Sequence, residues 1–282
     1  MKITFTDENT LIKDCFWFDI EKTFDCGQCF RWDKDEEGNF IGVVRNKVIK
    51  AVQNQNEIEF FGINENDYNE FFCHYIDMDR DYEEINKGFM NDKILPKAMK
   101  YSDGIRLLNQ DVFETVISFI ISQNNNIPRI KKIINSFCMN FGKKTVFEDK
   151  EYYLFPSIED VKDITLDDLA IIKSGFRAKY ILDAVNKINS GEVDINNLKN
   201  LDYEEAKQEL MKIKGVGDKV SDCVLLFSCG FVDAFPKDVW IKRILKEFYN
   251  DESIDKDYFH GYGGIAQQYL FHFARQVQLG KK

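Results

Sequence analysis

A Gly-x-Gly turn between two helical segments constrains this chain more than any other feature. Apolar residues recur at helical spacing over 203–213, and an apolar segment at 220–227 follows the turn as a second helix. Gly215 and Gly217 bracket one small apolar residue, which lets the backbone turn tightly with its N–H groups exposed. The stretch predicts two helices joined by a tight hairpin, with phosphate-binding amides where the second helix begins.

Two side chains capable of covalent chemistry follow this turn. Lys219 falls in the first turn of the second helix, where the positive end of the helix dipole favours a neutral amine over an ammonium. Asp238 follows in Phe-Pro-Lys-Asp-Val-Trp. The pair suits a nucleophile and a carboxylate partner. From the spacing alone, a lysine at such a position is more often a solvated surface residue.

The charge balance does not by itself indicate a nucleic-acid partner. The net charge of −10 argues against a generic nucleic-acid coat protein, because neutralisation of phosphates supplies most non-specific affinity. Basic residues nevertheless gather between Arg129 and Arg243, which is consistent with one basic face or with an ordinary mixed surface. With 44% hydrophobic residues, the 282-residue chain can bury a substantial core.

Neither secretion nor a membrane span is predicted. No window approaches about eighteen uninterrupted apolar residues, and residues 1–5 lack a basic region followed by an apolar run. The seven cysteines are interpreted as reduced thiols, since their number is odd and no signal peptide is evident. We expect a cytoplasmic monomer, associated with the nucleoid if the cell is prokaryotic.

The periodicity of the sequence changes once along the chain and predicts an α+β fold. Before about residue 77, alternating or aromatic-rich segments at 3–5, 15–20, 40–44, 48–52 and 58–63 predict an antiparallel sheet. Later segments have helical spacing, and we place a domain boundary between 95 and 96, giving domains 1–95 and 96–282. The predicted helices span 80–91, 95–102, 111–122, 127–141, 166–173, 177–189, 203–213, 218–229, 238–249 and 262–278.

The helix, hairpin and helix, followed by the loop containing Asp238, resemble the helix-hairpin-helix Gly/Pro-Asp superfamily of DNA glycosylases. In that superfamily nearly all members have the aspartate, and those that also cleave the strand have the lysine. Three further segments look like the blocks of 8-oxoguanine DNA glycosylases. They are Gly27-Gln28-Cys29-Phe30-Arg31-Trp32, Ser122-Gln123-Asn124-Asn125-Asn126-Ile127-Pro128-Arg129 and Ser174-Gly175-Phe176-Arg177-Ala178-Lys179-Tyr180.

The resemblance implies an N-terminal antiparallel sheet domain of the TBP-like type, followed by an all-helical glycosylase domain. It also implies how the oxidised base is recognised. The Gly27 carbonyl would accept the N7 hydrogen that oxidised guanine has and guanine lacks. Gln267 would read the Watson–Crick edge, Phe271 would stack on the base, and Cys223 would pack on its opposite face. Gln267 and Phe271 are four apart and therefore share a helix face.

Other residues are implied in holding the DNA. Such enzymes flip the damaged nucleotide out of the duplex, so the orphaned cytosine needs partners. By resemblance, Asn124, Arg129 and Arg177 occupy the gap and supply these partners, while Phe176 falls where the family often has Tyr as a wedge beside the gap. Gly215 and Gly217 would hold a phosphate, and Trp240 would lie near the 5′ phosphate. Asn125 or Asn126, taken alone, is interpreted as a helix C-cap followed by a turn.

The resemblance implies a bifunctional enzyme for double-stranded DNA containing oxidised guanine. It would remove 8-oxoguanine and formamidopyrimidine through a Lys219 Schiff base, with Asp238 stabilising the positive charge that develops on the sugar and helping to orient the amine. It would then cleave the abasic strand by β-elimination. No metal or other cofactor is required, although hairpin carbonyls could hold a structural monovalent cation. No iron–sulfur cluster can follow Asp238, because the last cysteine is Cys229. The alternatives are a non-catalytic hairpin DNA-binding protein and a glycosylase for a different lesion.

Overall fold

The computed structural model describes residues 1–277 and contains a six-stranded sheet and a separate two-stranded hairpin. The strands are β1 (Lys2–Phe5), β2 (Asn9–Lys13), β3 (Trp32–Lys34), β4 (Phe40–Val44), β5 (Lys47–Asn54), β6 (Glu57–Phe61), β7 (Lys144–Phe147) and β8 (Lys150–Tyr153). The large sheet has the order β1-β2-β6-β5-β4-β3. Antiparallel pairing places Ile12 of β2 opposite Ile3 on one side and Ile58 on the other.

Helices make up most of the chain beyond the sheet. They are α1 (Ile20–Phe24), α2 (Glu65–Asp67), α3 (Cys73–Tyr75), α4 (Tyr82–Phe89), α5 (Leu95–Ser102), α6 (Val112–Ser122), α7 (Ile127–Phe141), α8 (Ile158–Val161), α9 (Leu166–Leu169), α10 (Ala178–Asn189), α11 (Tyr203–Met211), α12 (Asp218–Ser228), α13 (Val239–Ile244) and α14 (Gly263–Gln276). Side-chain N-caps define where several helices begin. Asp111, for example, accepts the Glu114 N–H at the start of α6. The predicted sheet followed by helices is confirmed.

The described chain divides into two compact units that alternate along the sequence. One contains residues 1–28, 51–109 and 230–277, and the other contains 29–50 and 110–229. The first includes β1, β2, β6, α5 and α14, whereas the second includes β7, β8, α6 and α12. The single boundary after residue 95 stays a prediction.

Two local expectations were wrong. The aromatic-rich segment at 15–20 is not a strand; it ends in α1, whose N-cap Asp19 accepts the Lys22 N–H at 2.9 Å. Among the aromatic residues of this segment, Phe18 is buried, whereas Phe16 and Trp17 are exposed. The predicted all-helical part also contains the β7–β8 hairpin, whose turn residues Glu148 and Asp149 both have positive φ without any glycine.

No helix in residues 1–277 is long and apolar enough to cross a membrane.

Candidate active site

The predicted hairpin between α11 and α12 is present, but its two glycines serve different purposes. Gly215 has φ +82°, and a Cβ atom there would stand 2.4 Å from Tyr180 Cδ2, so both conformation and space require glycine. Gly217 has an ordinary φ of −117° and is the N-cap of α12. A Cβ atom on Gly217 would meet nothing within 4 Å. Gly217 therefore leaves an open approach to the first-turn amides of α12, which suits an anion.

Polar contacts fix the hairpin between its neighbouring helices. Lys207 on α11 forms ion pairs with Asp218 at 3.0 Å and Asp222 at 3.1 Å, both on α12. Asp183 on α10 accepts the Lys214 N–H at 2.7 Å. The sequence reasoning did not single out these residues, because their partners lie on separate helices.

Lys219 is the second residue of α12 and extends over an aromatic surface. Its Nζ lies 5.0 Å from the ring centroid of Phe119, which is buried on α6. Phe119 in turn stacks on Phe227, with centroids 5.5 Å apart. The apolar support limits where the half-buried amine can move. Cys223 follows one helical turn later and is buried, with 3% of its surface exposed.

The three asparagines between α6 and α7 have three different roles. Asn125 Nδ2 donates to the Ile121 carbonyl at 3.2 Å near the end of α6. Asn126 is the N-cap of α7 and accepts the Arg129 N–H at 3.0 Å. The expectation of a C-cap at these two positions was wrong, because Gln123 is the C-cap of α6 and Asn126 caps the start of α7 instead. Asn124 is exposed and left-handed, with φ +47°, a conformation that asparagine tolerates better than most residues.

Arg177 is buried and binds the turn that contains Asn124. Its Nε donates to the Gln123 carbonyl at 2.8 Å, and its Nη2 donates to the Asn124 carbonyl at 2.9 Å. Burial and the charge of Arg129 lower the pKa of Arg177. The guanidinium thus holds the turn in this structure, and its contact with cytosine stays a prediction. Phe176 is 51% exposed beside it, as a wedge residue must be, and Arg129 is exposed as well.

The segment around Gly27 is held rigidly by its neighbour. Gln28 is fully buried; its Nε2 donates to the Thr23 and Arg106 carbonyls at 2.9 and 2.8 Å, and its Oε1 accepts the Leu108 N–H at 2.9 Å. Gly27 itself has φ +82°. Sequence reasoning did not assign Gln28 this role. The adjacent Cys26 thiol donates to the Thr23 carbonyl at 3.2 Å. Burial raises the pKa of this thiol to about 12, which disfavours the thiolate form that binds metal ions.

Two of the predicted base-contacting residues lie on α14 in the same unit as Gly27. The Phe271 ring faces Gly27, since a Cβ atom on Gly27 would lie 3.2 Å from Phe271 Cε1. Arg275 lies over this ring, with Cζ 5.9 Å from the centroid. Gln267, one turn before Phe271, is buried with 4% of its surface exposed. The structure thus brings Gly27 and Phe271 together, and their contact with the base stays a prediction.

Asp238 is the N-cap of α13. Its Oδ1 accepts the Ile241 N–H at 2.8 Å, which fixes the orientation of the half-buried carboxylate. Trp240 lies in the first turn of α13, and the Arg243 guanidinium carbon is 5.4 Å from its ring. The predicted residues are therefore divided between the two units: Gly27, Asp238, Trp240, Gln267 and Phe271 in one; Asn124, Arg129, Phe176, Arg177, Gly215, Gly217, Lys219 and Cys223 in the other.

Two family models match consecutive parts of the chain. Residues 10–116 match the N-terminal domain of 8-oxoguanine DNA glycosylase, and residues 117–259 match the HhH-GPD superfamily of base excision DNA repair proteins. The second match contains the hairpin, Lys219 and Asp238.

Relatives and solved structures are similar over most of their length. The chain is 34% identical to a probable N-glycosylase/DNA lyase of Methanothermobacter thermautotrophicus, covering 68% of this chain and 70% of the relative. It is 32% identical to the N-glycosylase/DNA lyase of Saccharomyces cerevisiae, covering 82% and 68%. A crystal structure of the Clostridium acetobutylicum 8-oxoguanine glycosylase/lyase, with double-stranded DNA containing cytosine opposite 8-oxoguanine, superimposes with TM-score 0.95 at 37% identity, covering 99% of each chain.

Proposed function

Because the chain belongs to the HhH-GPD superfamily of base excision DNA repair proteins and has the N-terminal domain of 8-oxoguanine DNA glycosylases, we propose that it removes 8-oxoguanine from duplex DNA. It is a bifunctional glycosylase and lyase, which also cleaves the strand at the resulting abasic site. Formamidopyrimidine is the second expected substrate. The observation that carries the proposal is Lys219, placed in the first turn of α12 directly after the hairpin and supported by Phe119.

Lys219 acts as the nucleophile in this mechanism. Its neutral amine forms a bond to C1′ as the bond from C1′ to N9 of the base breaks, and the departing base takes up a proton. Opening of the sugar ring gives a Schiff base between Nζ and C1′. Loss of a C2′ proton then expels the 3′ oxygen, and this β-elimination breaks the strand on the 3′ side. Attack by a lysine, in place of water, is what couples base removal to strand cleavage.

Asp238 stabilises the positive charge that develops on the sugar as the base departs. Its contact with the Ile241 N–H holds the carboxylate in place before the reaction, so little reorganisation is needed when the charge appears. The same carboxylate would help to orient the attacking amine. A preorganised interaction of this kind can contribute several kcal/mol, on the order of the effect of one oxyanion-hole donor.

Selection of the oxidised base rests on Gly27, Gln267, Phe271 and Cys223. The Gly27 carbonyl accepts the N7 hydrogen of 8-oxoguanine; guanine would present a lone pair at the same place and leave the carbonyl unsatisfied. Phe271 supplies a stacking surface, and Gln267 supplies an amide for the Watson–Crick edge. Cys223 packs on the base from the other side.

The DNA itself is held by the hairpin and by the turn after α6. The α12 amides near Gly217 bind a phosphate, and Trp240 lies beside another phosphate. Phe176 fills the space left by the flipped nucleotide, while Asn124, Arg129 and Arg177 serve the orphaned cytosine. Four donor contacts bind Arg177 to the carbonyls of Gln123, Asn124 and Ser174, so it would reach cytosine with its remaining N–H or by exchanging one of these partners.

The reaction needs no metal or organic cofactor. A structural monovalent cation would be held at the hairpin by backbone carbonyl oxygens of the exposed turn at Lys214 and Gly215, since oxygen atoms are the ligands that hard cations prefer. It would supply positive charge for binding DNA. We propose that the enzyme works as a monomer wherever genomic DNA is found, in the cytoplasm beside the nucleoid in a cell without a nucleus.

A panel of duplexes tests the proposal. Substrates containing 8-oxoguanine, formamidopyrimidine, uracil or 3-methyladenine are incubated with the enzyme, and both base release and strand cleavage are measured. Release of the two oxidised purines with strand cleavage, and of neither other base, is the expected result. Release of uracil or 3-methyladenine alone would indicate a glycosylase for a different lesion. Binding without release of any base would indicate the non-catalytic alternative.

A further inference from the structure

Gln267 has a buried amide partner immediately after it in the chain. Gln268 is 3% exposed, and its Nε2 donates to Gln267 Oε1 at 2.7 Å. The two ends of a glutamine amide have nearly the same shape but opposite hydrogen-bonding character, because the oxygen accepts and the nitrogen donates. A hydrogen bond to Oε1 therefore decides which end of the Gln267 amide occupies which position.

Further along α14, a second amide donates to a histidine. Gln276 Nε2 lies 3.3 Å from His272 Nε2. An amide nitrogen carries only donors, so His272 Nε2 must accept and the ring proton lies on Nδ1. The ring is buried, and its burial together with the charge of Arg275 lowers the pKa of His272, which favours this neutral form.

Two complementary atoms lie between these pairs on the helix. Within residues 1–277, His272 Nδ1 and Gln268 Oε1 are both buried without a hydrogen-bond partner. Residues 268 and 272 are four apart, so their side chains are neighbours on one face of α14. One atom donates and the other accepts. A direct bond or a single bridging water would satisfy both, and leaving them unpaired is costly.

These contacts have one direction. Gln276 donates to His272, and Gln268 donates to Gln267. Between these two hydrogen bonds, His272 Nδ1 carries a proton and Gln268 Oε1 needs a donor, so a bond or a bridging water between them would continue the same direction. Gln268 cannot turn its amide around without presenting its oxygen to the oxygen of Gln267.

We propose that Gln268, supported by His272 and Gln276, is a positioning residue that fixes the orientation of the Gln267 amide and so determines which base edge the enzyme accepts. The inference rests on the proposed base-reading role of Gln267. Its consequence is a discrimination between oxidised guanine and oxidised adenine. Both bases carry the N7 hydrogen that Gly27 would recognise, so recognition at Gly27 does not separate them.

The Watson–Crick edges of the two bases are mirror opposites in their hydrogen bonding. 8-Oxoguanine has an acceptor at position 6 and a donor at position 1, whereas 8-oxoadenine has a donor at position 6 and an acceptor at position 1. An amide with a fixed orientation can complement only one of these edges. An amide that is free to turn over can complement either.

The test measures single-turnover excision of 8-oxoguanine and of 8-oxoadenine, each opposite cytosine, with Gln268→Met. Methionine has a similar length and no amide, so Gln267 loses its fixed partner. The ratio of the 8-oxoguanine rate to the 8-oxoadenine rate should fall on the order of tenfold, the effect of one lost hydrogen bond. A ratio equal to that of the wild type overturns the inference, whatever the absolute rates.

Tyr269→Phe is the matched control on the same helix. It removes one buried hydrogen bond, from Tyr269 Oη to Asn86 Oδ1 at 3.0 Å, without altering the Gln267 and Gln268 pair. The rate ratio should stay at the wild-type value. If Tyr269→Phe lowers the ratio as much as Gln268→Met does, the effect belongs to the stability of α14 and the inference is overturned.

Two further variants keep the outcomes distinct. Gln267→Ala should slow 8-oxoguanine excision; an unchanged rate would refute the base-reading role and this inference with it, while the glycosylase function itself would stand. Should Gln268→Met not fold, Gln276→Met takes its place, because Gln276 is exposed and supports Gln268 only through His272. The ratio of the 8-oxoguanine rate to the 8-oxoadenine rate should fall by a smaller factor than in Gln268→Met. An unchanged ratio would refute the inference.

Discussion

The Phe271 ring lies so close to Gly27 that a Cβ atom at Gly27 would stand 3.2 Å from Phe271 Cε1. Gly27 also has φ +82°, which disfavours any other residue. We expect Gly27→Ala to reduce excision of 8-oxoguanine about tenfold or more, because the Phe271 ring and the Gly27 carbonyl can no longer keep their positions. Cleavage of a preformed abasic site should persist, since it does not require base recognition.

Gly38→Ala is the control for this variant. Gly38 has φ +88°, but a Cβ atom there meets nothing within 4 Å, so it reproduces the backbone strain without the ring contact. If both alanine variants reduce excision equally, the contact between Gly27 and Phe271 has no specific role.

The hairpin glycines should separate folding from DNA binding. Gly215→Ala should lower the free energy of unfolding by about 1–3 kcal/mol, because the methyl group would clash with the Tyr180 ring. Gly217→Ala has open space and should cost at most about 1 kcal/mol, as a poorer N-cap of α12, while weakening affinity for duplex DNA. Thermal unfolding and duplex titration measure the two effects. Wild-type affinity in Gly217→Ala would contradict a phosphate at this position.

Asp238 combines a helix cap with its proposed catalytic role, and two substitutions should separate them. Asparagine is an equally good N-cap, so Asp238→Asn should keep wild-type stability and bind damaged duplex while losing most turnover. Asp238→Ala should in addition lose about 1 kcal/mol of stability through the missing bond to Ile241. Unchanged turnover in Asp238→Asn would remove the carboxylate from the mechanism.

Glu114 on α6 gives a prediction about pH. Burial raises its pKa from 4.5 to about 7, although the Arg31 guanidinium at 3.8 Å acts in the opposite direction. A carboxyl whose pKa is raised on folding favours the folded state when protonated. Its contribution to stability is therefore full below about 4.5 and is lost as the pH rises through about 7.

The melting temperature of Glu114→Gln minus that of the wild type should accordingly rise from pH 4.5 to pH 8. The wild type loses the stability contributed by the protonated carboxyl over this range, whereas glutamine does not ionise. The substitution also changes the surroundings of Arg31, and this effect on the melting temperature is the same at every pH. The titration of Glu114 is therefore measured by the change of the difference with pH. A difference that stays constant across this range would show that Glu114 does not titrate with a raised pKa.

The sequence predicted the hairpin and the long helices well because each has a local signal. The Gly-x-Gly turn and the apolar periodicity of 95–102 and 127–141 depend on residues close together in the chain, and α5 and α7 match those bounds. The segment at 15–20 was misjudged because aromatic residues indicate burial as readily as strand. The turn of β7 and β8 was missed because Glu148 and Asp149 adopt positive φ without glycine.

The site residues were found by resemblance, and their supporting contacts were not found at all. Gln28 binds backbone groups of Thr23, Arg106 and Leu108, and no local pattern indicates partners at such separations. Gln268 follows Gln267 directly, yet a pair of glutamines carries no signal that one amide orients the other. The engagement of Arg177 by the carbonyls of residues 123 and 124 was likewise visible only in three dimensions.

The most direct test of the account is the identity of the amine that forms the Schiff base. Borohydride added during reaction with a duplex containing 8-oxoguanine opposite cytosine reduces the C=N bond and leaves protein covalently attached to DNA. We predict an adduct that maps to Lys219, is absent in Lys219→Gln and remains in Lys214→Gln, which removes the exposed hairpin lysine. Persistence of the adduct in Lys219→Gln, or its absence in the wild type, would contradict the mechanism.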